Sequence, residues 1–235
     1  MTKVMAQMSV SLDGFYTGPR NPCDALGMDG WLHGPEAPGF FRVTRWATDA
    51  MGWRERMGFK GGERSINSDI IEEYFAASGA YVMGRRMFDA GEVPWGDTPP
   101  FRAPVFVVTH RPREVLGRRG GTSFTFVTDG VERAIELARD AAGGKDMAVA
   151  GGGTLLREVV RRGLLDQLEL HIAPVLLGDG QRQFDASLGL ADDEGIELTA
   201  TRVIETPDVL HLRYAVNGRA TLQLDDRGSS GGPTK

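Results

Sequence analysis

The feature that most narrows the fold is a repeated alternation. Short, apolar, β-branched runs close on glycine or a polar turn and hand over at once to segments with helical spacing. Runs at residues 80–83, 105–109, 124–127, 147–150 and 167–174 read as strands, and 131–142 and 154–162 read as the helices between them. Strands interleaved with helices in this way build a parallel sheet, because each return to a parallel neighbour needs a crossover. The last two runs, 196–204 and 209–216, are separated only by the turn at Pro207-Asp208 and read as an antiparallel hairpin. The expected fold class is therefore α/β: a mostly parallel central sheet with helices on both faces and an antiparallel C-terminal hairpin.

Other segments fill in that outline. Residues 4–12 form a first apolar strand opening on the Asp13-Gly14 turn. Asn67 is a good N-cap for a helix carrying Ile70, Ile71, Tyr74 and Phe75 at helical spacing and stopped by Gly79. A short helical turn is expected from Gly84 through Phe88, and Pro94, Pro99, Pro100 and Pro104 mark a loop. Between residues 17 and 62 the periodicity dissolves into a Gly- and Pro-rich stretch with Trp31, Trp46 and Trp53. That stretch is too long for a plain connector and is read as a lid or a dimer contact. Residues 1–220 are taken as one domain and 221–235 as a disordered tail.

Bulk properties limit the partners. A formal net charge of -5 lacks the cationic surplus that binding to a phosphate backbone requires, so neither nucleic acid nor a membrane surface is expected. Cys23 is the single cysteine; with only four histidines, this argues against a disulfide and a dedicated metal site and for a reducing, cytoplasmic setting. No segment reads as a signal peptide or a bilayer span.

Three strand ends carry anion-binding chemistry. Gly151-Gly152-Gly153 followed by Thr154 lies between a strand and a helix, where free backbone N–H groups and a helix dipole favour a phosphate. A glycine turn of this kind also serves as a plain tight connection, and the GxGxxG spacing is absent. Gly84-Arg85-Arg86 offers two guanidinium groups at the end of another strand, where open α/β sheets bind ligands. Thr109-His110-Arg111 closes a third, with a hydroxyl, an imidazole and a guanidinium suited to one further phosphate.

Four ordered stretches resemble a known family: residues 10–15 (Val-Ser-Leu-Asp-Gly-Phe), 82–88 (Val-Met-Gly-Arg-Arg-Met-Phe), 149–155 (Val-Ala-Gly-Gly-Gly-Thr-Leu) and 172–180 (Ile-Ala-Pro-Val-Leu-Leu-Gly-Asp-Gly). They are similar to the reductase domain of the bifunctional riboflavin-biosynthesis deaminase-reductase and its stand-alone relatives, distant cousins of dihydrofolate reductase. The resemblance implies a dihydrofolate-reductase-like fold with NADPH as cofactor. It places Gly84, Arg85 and Arg86 at the cofactor phosphates, Gly151–Gly153 and Thr154 under the pyrophosphate, and Thr109, His110 and Arg111 at the adenosine 2′-phosphate. It also implies a cis peptide within the glycine triplet and pairing as homodimers, to which the apolar 175–177 stretch would contribute. At Met87 the chain departs from the threonine usual in relatives, which removes one hydroxyl from the phosphate contacts.

For catalysis the resemblance points to Asp13, in the turn that opens onto the substrate pocket, although an aspartate there also caps its own backbone. Asp69, in the first turn of the predicted helix, is a second acidic candidate that the helix dipole explains equally well. His33 resembles a residue near the active-site mouth of stand-alone relatives, whereas His171 and His211 read as packing residues within strands. The expected activity is hydride transfer from NADPH to a small substrate bearing C=N or C=O, of pyrimidine, pterin or related heterocyclic type. Alternatives are a protein that binds or senses NADP(H) without turnover, and dihydrofolate reduction. The zinc ligands of a deaminase domain are missing, so the bifunctional enzyme is not expected.

Overall fold

The computed structural model describes residues 2–24, 37–192 and 194–221. Trp31 and His33, together with the tail at 222–235, lie outside the described residues. Nine strands form one sheet. In chain order the strands are β1 (Val4–Ser11), β2 (Phe15–Thr17), β3 (Ser78–Gly84), β4 (Pro104–Val108), β5 (Leu116–Gly117), β6 (Ser123–Val127), β7 (Asp146–Val149), β8 (Gln167–Ala173), β9 (Gln181–Arg182), β10 (Glu194–Glu205) and β11 (Leu210–Thr221). The sheet order is β10-β11-β8-β1-β7-β3-β4-β6-β5, while β2 and β9 pair separately. The five contacts from β8 to β6 are parallel, and β10, β11 and β5 add antiparallel pairs at the two edges.

The helices are α1 (Pro38–Thr48), α2 (Met51–Arg56), α3 (Ile66–Ala77), α4 (Arg85–Trp95), α5 (Val131–Ala141) and α6 (Gly153–Arg161). Strand alternation divides the core into two layers. Val4, Ala6, Ala80, Val82, Met147 and Val149 point to the side covered by α5 and α6, where Ala134, Ile135, Leu156 and Val159 are buried. Met5, Tyr81, Met83, Val105, Val107 and Ala148 point to the other side, toward Phe88 and Trp95 of α4. Trp46 of α1 and Ile71 of α3 extend that second layer.

Several expectations from the sequence are corrected. The 17–62 stretch is not a single irregular loop: α1 begins with Pro38 in its first turn and buries Val43 and Trp46, and α2 follows it. Asn67 is not the N-cap; Ser65 holds that position, and Asn67, inside the helix and buried, bonds through Oδ1 to His211 Nε2 at 3.1 Å. Gly79 does not terminate α3 but lies within β3. A Cβ there would sit 2.0 Å from the Ala142 carbonyl oxygen, so the glycine permits close approach to the end of α5. The short turn after Gly84 is instead α4, which continues through Pro94 because Trp95 is anchored beyond it, stacked on Phe124 at 6.0 Å and edge-on to Phe101 at 5.0 Å.

Candidate functional site

A cavity of about 800 Å³ opens at the C-terminal ends of the parallel strands, the place where open α/β sheets take their ligands. Gln7, Met8 and Ser9 of β1 line one part, with Phe40 and Thr44 of α1. Tyr16 lines a second part with Asn21, Pro22 and Cys23. The glycine-rich ends of β3 and β7, with Val108 at the end of β4 and His110 after it, complete the wall.

Three helices begin on this wall. α4, α5 and α6 have Gly84, Gly130 and Gly152 as N-caps, and none receives a side-chain cap. Their first-turn N–H groups and dipoles are therefore available to an anion in the cavity. The β3 and β7 ends are tied together by the Gly84 N–H, which donates to the Gly151 carbonyl at 3.3 Å. The Gly151–Gly152 peptide is cis, as the resemblance implies. Gly153 is required sterically, since a Cβ there would lie 2.6 Å from Tyr16 Cε1. Met87, the departure from the usual threonine, lines the cavity and puts its Sδ 3.1 Å from where a Gly151 Cβ would stand.

The cationic rim is ordered by two acids on α4. Arg85 donates to Asp89 at 2.6 Å and lies over the Phe126 ring at 5.7 Å, and Arg111 reaches the other Asp89 oxygen at 3.1 Å. Arg113 grips Glu92 through both guanidinium nitrogens, at 2.9 and 2.6 Å, with Arg118 behind it at 3.7 Å. The Arg113 hydrogen bonds hold the Glu92 carboxyl below its ordinary range. Four guanidinium groups against two carboxylates leave this edge positive, with Arg86 exposed on the cavity wall beside it.

The structure thus brings together Gly84, Arg85, Arg86, His110, Gly151, Gly152, Gly153 and Thr154. Thr109 and Arg111 lie just outside this lining. Thr109 is buried, and its hydroxyl oxygen accepts the Arg111 N–H at 3.0 Å, which shapes the turn rather than facing the cavity. The acidic candidates are elsewhere. Asp13 accepts from the Ser11 hydroxyl at 2.5 Å and from the Leu177 and Gly178 N–H groups at 3.1 and 2.8 Å. These bonds, the Ser11 hydroxyl first, pull its pKa down to about 2. In this geometry Asp13 straps the 12–14 turn to the loop after β8. Asp69 is exposed on the first turn of α3, away from the cavity.

The sequence reading missed Gln7, Ser9, Tyr16, Phe40 and Thr44. Gln7 and Ser9 carried a signal, because they alternate in sequence with the apolar Ala6, Met8 and Val10 along β1. Tyr16 donates its hydroxyl to Gln181 Oε1, which also accepts from Asn21 Nδ2 at 3.0 Å, and burial raises the phenol pKa. Among the described residues no cluster of His, Cys, Asp and Glu is suited to a metal ion, and no helix is long and apolar enough to cross a membrane.

Comparison with known proteins agrees with this architecture. The uncharacterized protein YyaP of Bacillus subtilis (strain 168) is 25% identical over 144 residues, which cover 58% of this chain and 73% of that one. The crystal structure of a putative riboflavin biosynthesis protein from Shewanella sp. PV-4 superposes with a TM-score of 0.61 at 15% identity, covering 92% of this chain and 99% of its own. Acinetobacter baumannii RibD superposes at 0.53 with 16% identity over 92% of this chain, which spans 58% of that longer protein. The model of the RibD C-terminal domain matches residues 2–211, nearly the whole described chain, and the protein belongs to that family.

Proposed function

We propose that the chain is an NADPH-dependent reductase that delivers a hydride to a small heterocyclic substrate bearing C=N or C=O. The observation that carries this reading is the convergence of three helix N-termini, each capped only by glycine, on one cavity of about 800 Å³ with an arginine-rich edge. That is the chemistry a dinucleotide with several phosphates requires. The residues present fit such a group. The N-terminus of α6 with Gly152, Gly153 and Thr154 would hold the pyrophosphate, and nothing lies within 4 Å of a Cβ built on Gly152, which leaves room for close approach. Arg85 and Arg86 would neutralise the phosphates, and His110 with Arg111 would take the additional phosphate that separates NADPH from NADH.

When bound, NADPH supplies the hydride; the chain supplies orientation and a dry, shaped pocket. Gln7, Ser9, Phe40 and Thr44 would face the substrate, since they line the cavity from β1 and α1, and β7 separates β1 from β3, whose end carries Arg85 and Arg86. The placement of Asp13 and Asp69 outside the cavity favours a second reading, a nucleotide-binding protein without turnover. Loss of reduced-nicotinamide absorbance across a panel of pyrimidines, pterins and cyclic imines separates the two. Turnover with any member supports the reductase, and tight NADPH binding with no oxidation across the panel supports the second reading.

A further inference from the structure

Two polar side chains of β1, Gln7 and Ser9, lie two residues apart on the same strand face, about 7 Å along it, half-buried in the cavity wall. The hydrogen-bonding sense of each is fixed by a partner that can act in only one way. Gln7 Nε2 lies 3.2 Å from Glu169 Oε2. Glu169, on the neighbouring β8 and 1% exposed, is also held by Arg213 Nε at 2.8 Å and Arg202 Nη2 at 3.3 Å. A carboxylate gripped by two guanidinium groups only accepts, so Gln7 must turn its NH₂ toward it. The Gln7 Oε1 is left to accept, and has no donor among the described residues.

Ser9 is fixed in the opposite sense. Its Oγ lies 3.0 Å from Trp46 Nε1, and an indole N–H only donates, so Ser9 accepts there and keeps its own proton to give. That proton has no acceptor among the described residues. Trp46 is held in turn by the rings of His171 and His211, with centroids at 4.4 and 4.9 Å. The two histidines bond each other through Nδ1 at 2.7 Å, and His211 is bonded to Asn67. Two buried polar groups of the sheet, the Glu169 cluster and the histidine pair, therefore converge on these two orientations.

We propose that Gln7 and Ser9 form the specificity-determining edge of the cavity, an acceptor beside a donor that selects ligands presenting N–H beside C=O, as a cyclic amide does. Glu169 and Trp46 are positioning residues for that edge. The inference rests on the cavity being the substrate pocket proposed above, and its test uses binding rather than turnover.

The full-length protein is titrated calorimetrically with 2-pyridone and with N-methyl-2-pyridone, which share the carbonyl and differ in the N–H. The expected result is about tenfold tighter binding of 2-pyridone. The preference falls to about one in Gln7→Leu, and Ser9→Ala weakens both probes. Should Gln7→Leu fail to fold, Gln7→Met is substituted, and Ser9→Ala tests the donor half by itself. Equal binding of the two probes, binding of neither, or a preference that survives loss of the Gln7 amide overturns the proposal. Repeating the titrations with NADPH present keeps the two ideas apart. If NADPH does not bind, the reductase reading fails, while the probe preference still decides the recognition edge.

Discussion

The buried histidine pair makes the fold acid-sensitive in a pH range where the carboxylates are silent. His171 and His211 are 2% and 1% exposed. Burial lowers the His211 pKa from 6.5 to about 4 and pushes His171 down well below its ordinary value. A depressed histidine pKa means that the folded state refuses a proton the unfolded chain accepts. The stabilisation is thus complete above pH 6.5 and is lost as pH falls from there toward 4. For His211 the whole difference corresponds to about 3 kcal/mol, of which about 2 kcal/mol is gone by pH 5. His171 acts in the same direction, and the two titrate as a pair. The shifted carboxylates contribute lower down. Glu73, Glu92 and Glu158 are depressed below 4.5, so their stabilisation is lost only as pH falls below that value, and Asp13 follows below 3.8. Urea unfolding at pH 7 and at pH 5 isolates the histidines. With an m-value of about 2 kcal/mol/M, the midpoint should fall by about 1 M or more. It should hold nearly level in the double variant His171→Gln/His211→Gln. A midpoint that does not move in the parent protein, or that moves equally in the double variant, refutes the reasoning.

Three further outcomes follow from the geometry. Gly153→Ala forces a methyl against the Tyr16 ring, and overpacking of this kind costs about 1–3 kcal/mol; both the thermal midpoint and NADPH affinity should drop, and unchanged affinity would show that α6 does not hold the pyrophosphate. Glu169→Leu leaves Arg202 and Arg213 with Glu73 as their remaining acid and should cost about 1–3 kcal/mol in a urea titration, the loss expected when partly buried donors lose one acceptor and keep another. Asp13→Asn should lower the thermal midpoint, because an amide cannot replace a carboxylate accepting three hydrogen bonds, while leaving NADPH binding unchanged. Loss of turnover in Asp13→Asn at an unchanged midpoint would instead return Asp13 to a catalytic role.

Much of the sheet was legible because a parallel strand buried on both faces is a continuous apolar run, and β3, β4 and β7 are such runs, the first and last beside glycines and β4 between Pro104 and Thr109. The glycine- and arginine-lined part of the cavity was legible for a related reason: Gly84, Arg85 and Arg86, and Gly151 to Thr154, are contiguous at strand ends. What local pattern did not reveal depended on distant partners. α1 was obscured by the Gly- and Pro-rich context, although Phe40, Val43, Trp46, Ala47 and Ala50 recur at helical spacing. Asn67 looked like a cap because its use is set by His211, 144 residues away. Gly79 looked like a stop because the carbonyl it makes room for belongs to Ala142. The β1 part of the cavity was hidden most completely, since the sense of Gln7 and Ser9 is dictated by Glu169 and Trp46. Asp13 was placed by its motif, and only the fold shows that its carboxylate faces the loop after β8.

The most direct test of the account is the affinity of the protein for NADPH against NADH, followed by tryptophan fluorescence in the parent chain and in Arg85→Ala. The expected result is micromolar binding of NADPH, weaker binding of NADH by about tenfold or more, and a loss of NADPH affinity in the variant. Failure of either nucleotide to bind, or equal affinities that Arg85→Ala leaves unchanged, would contradict it.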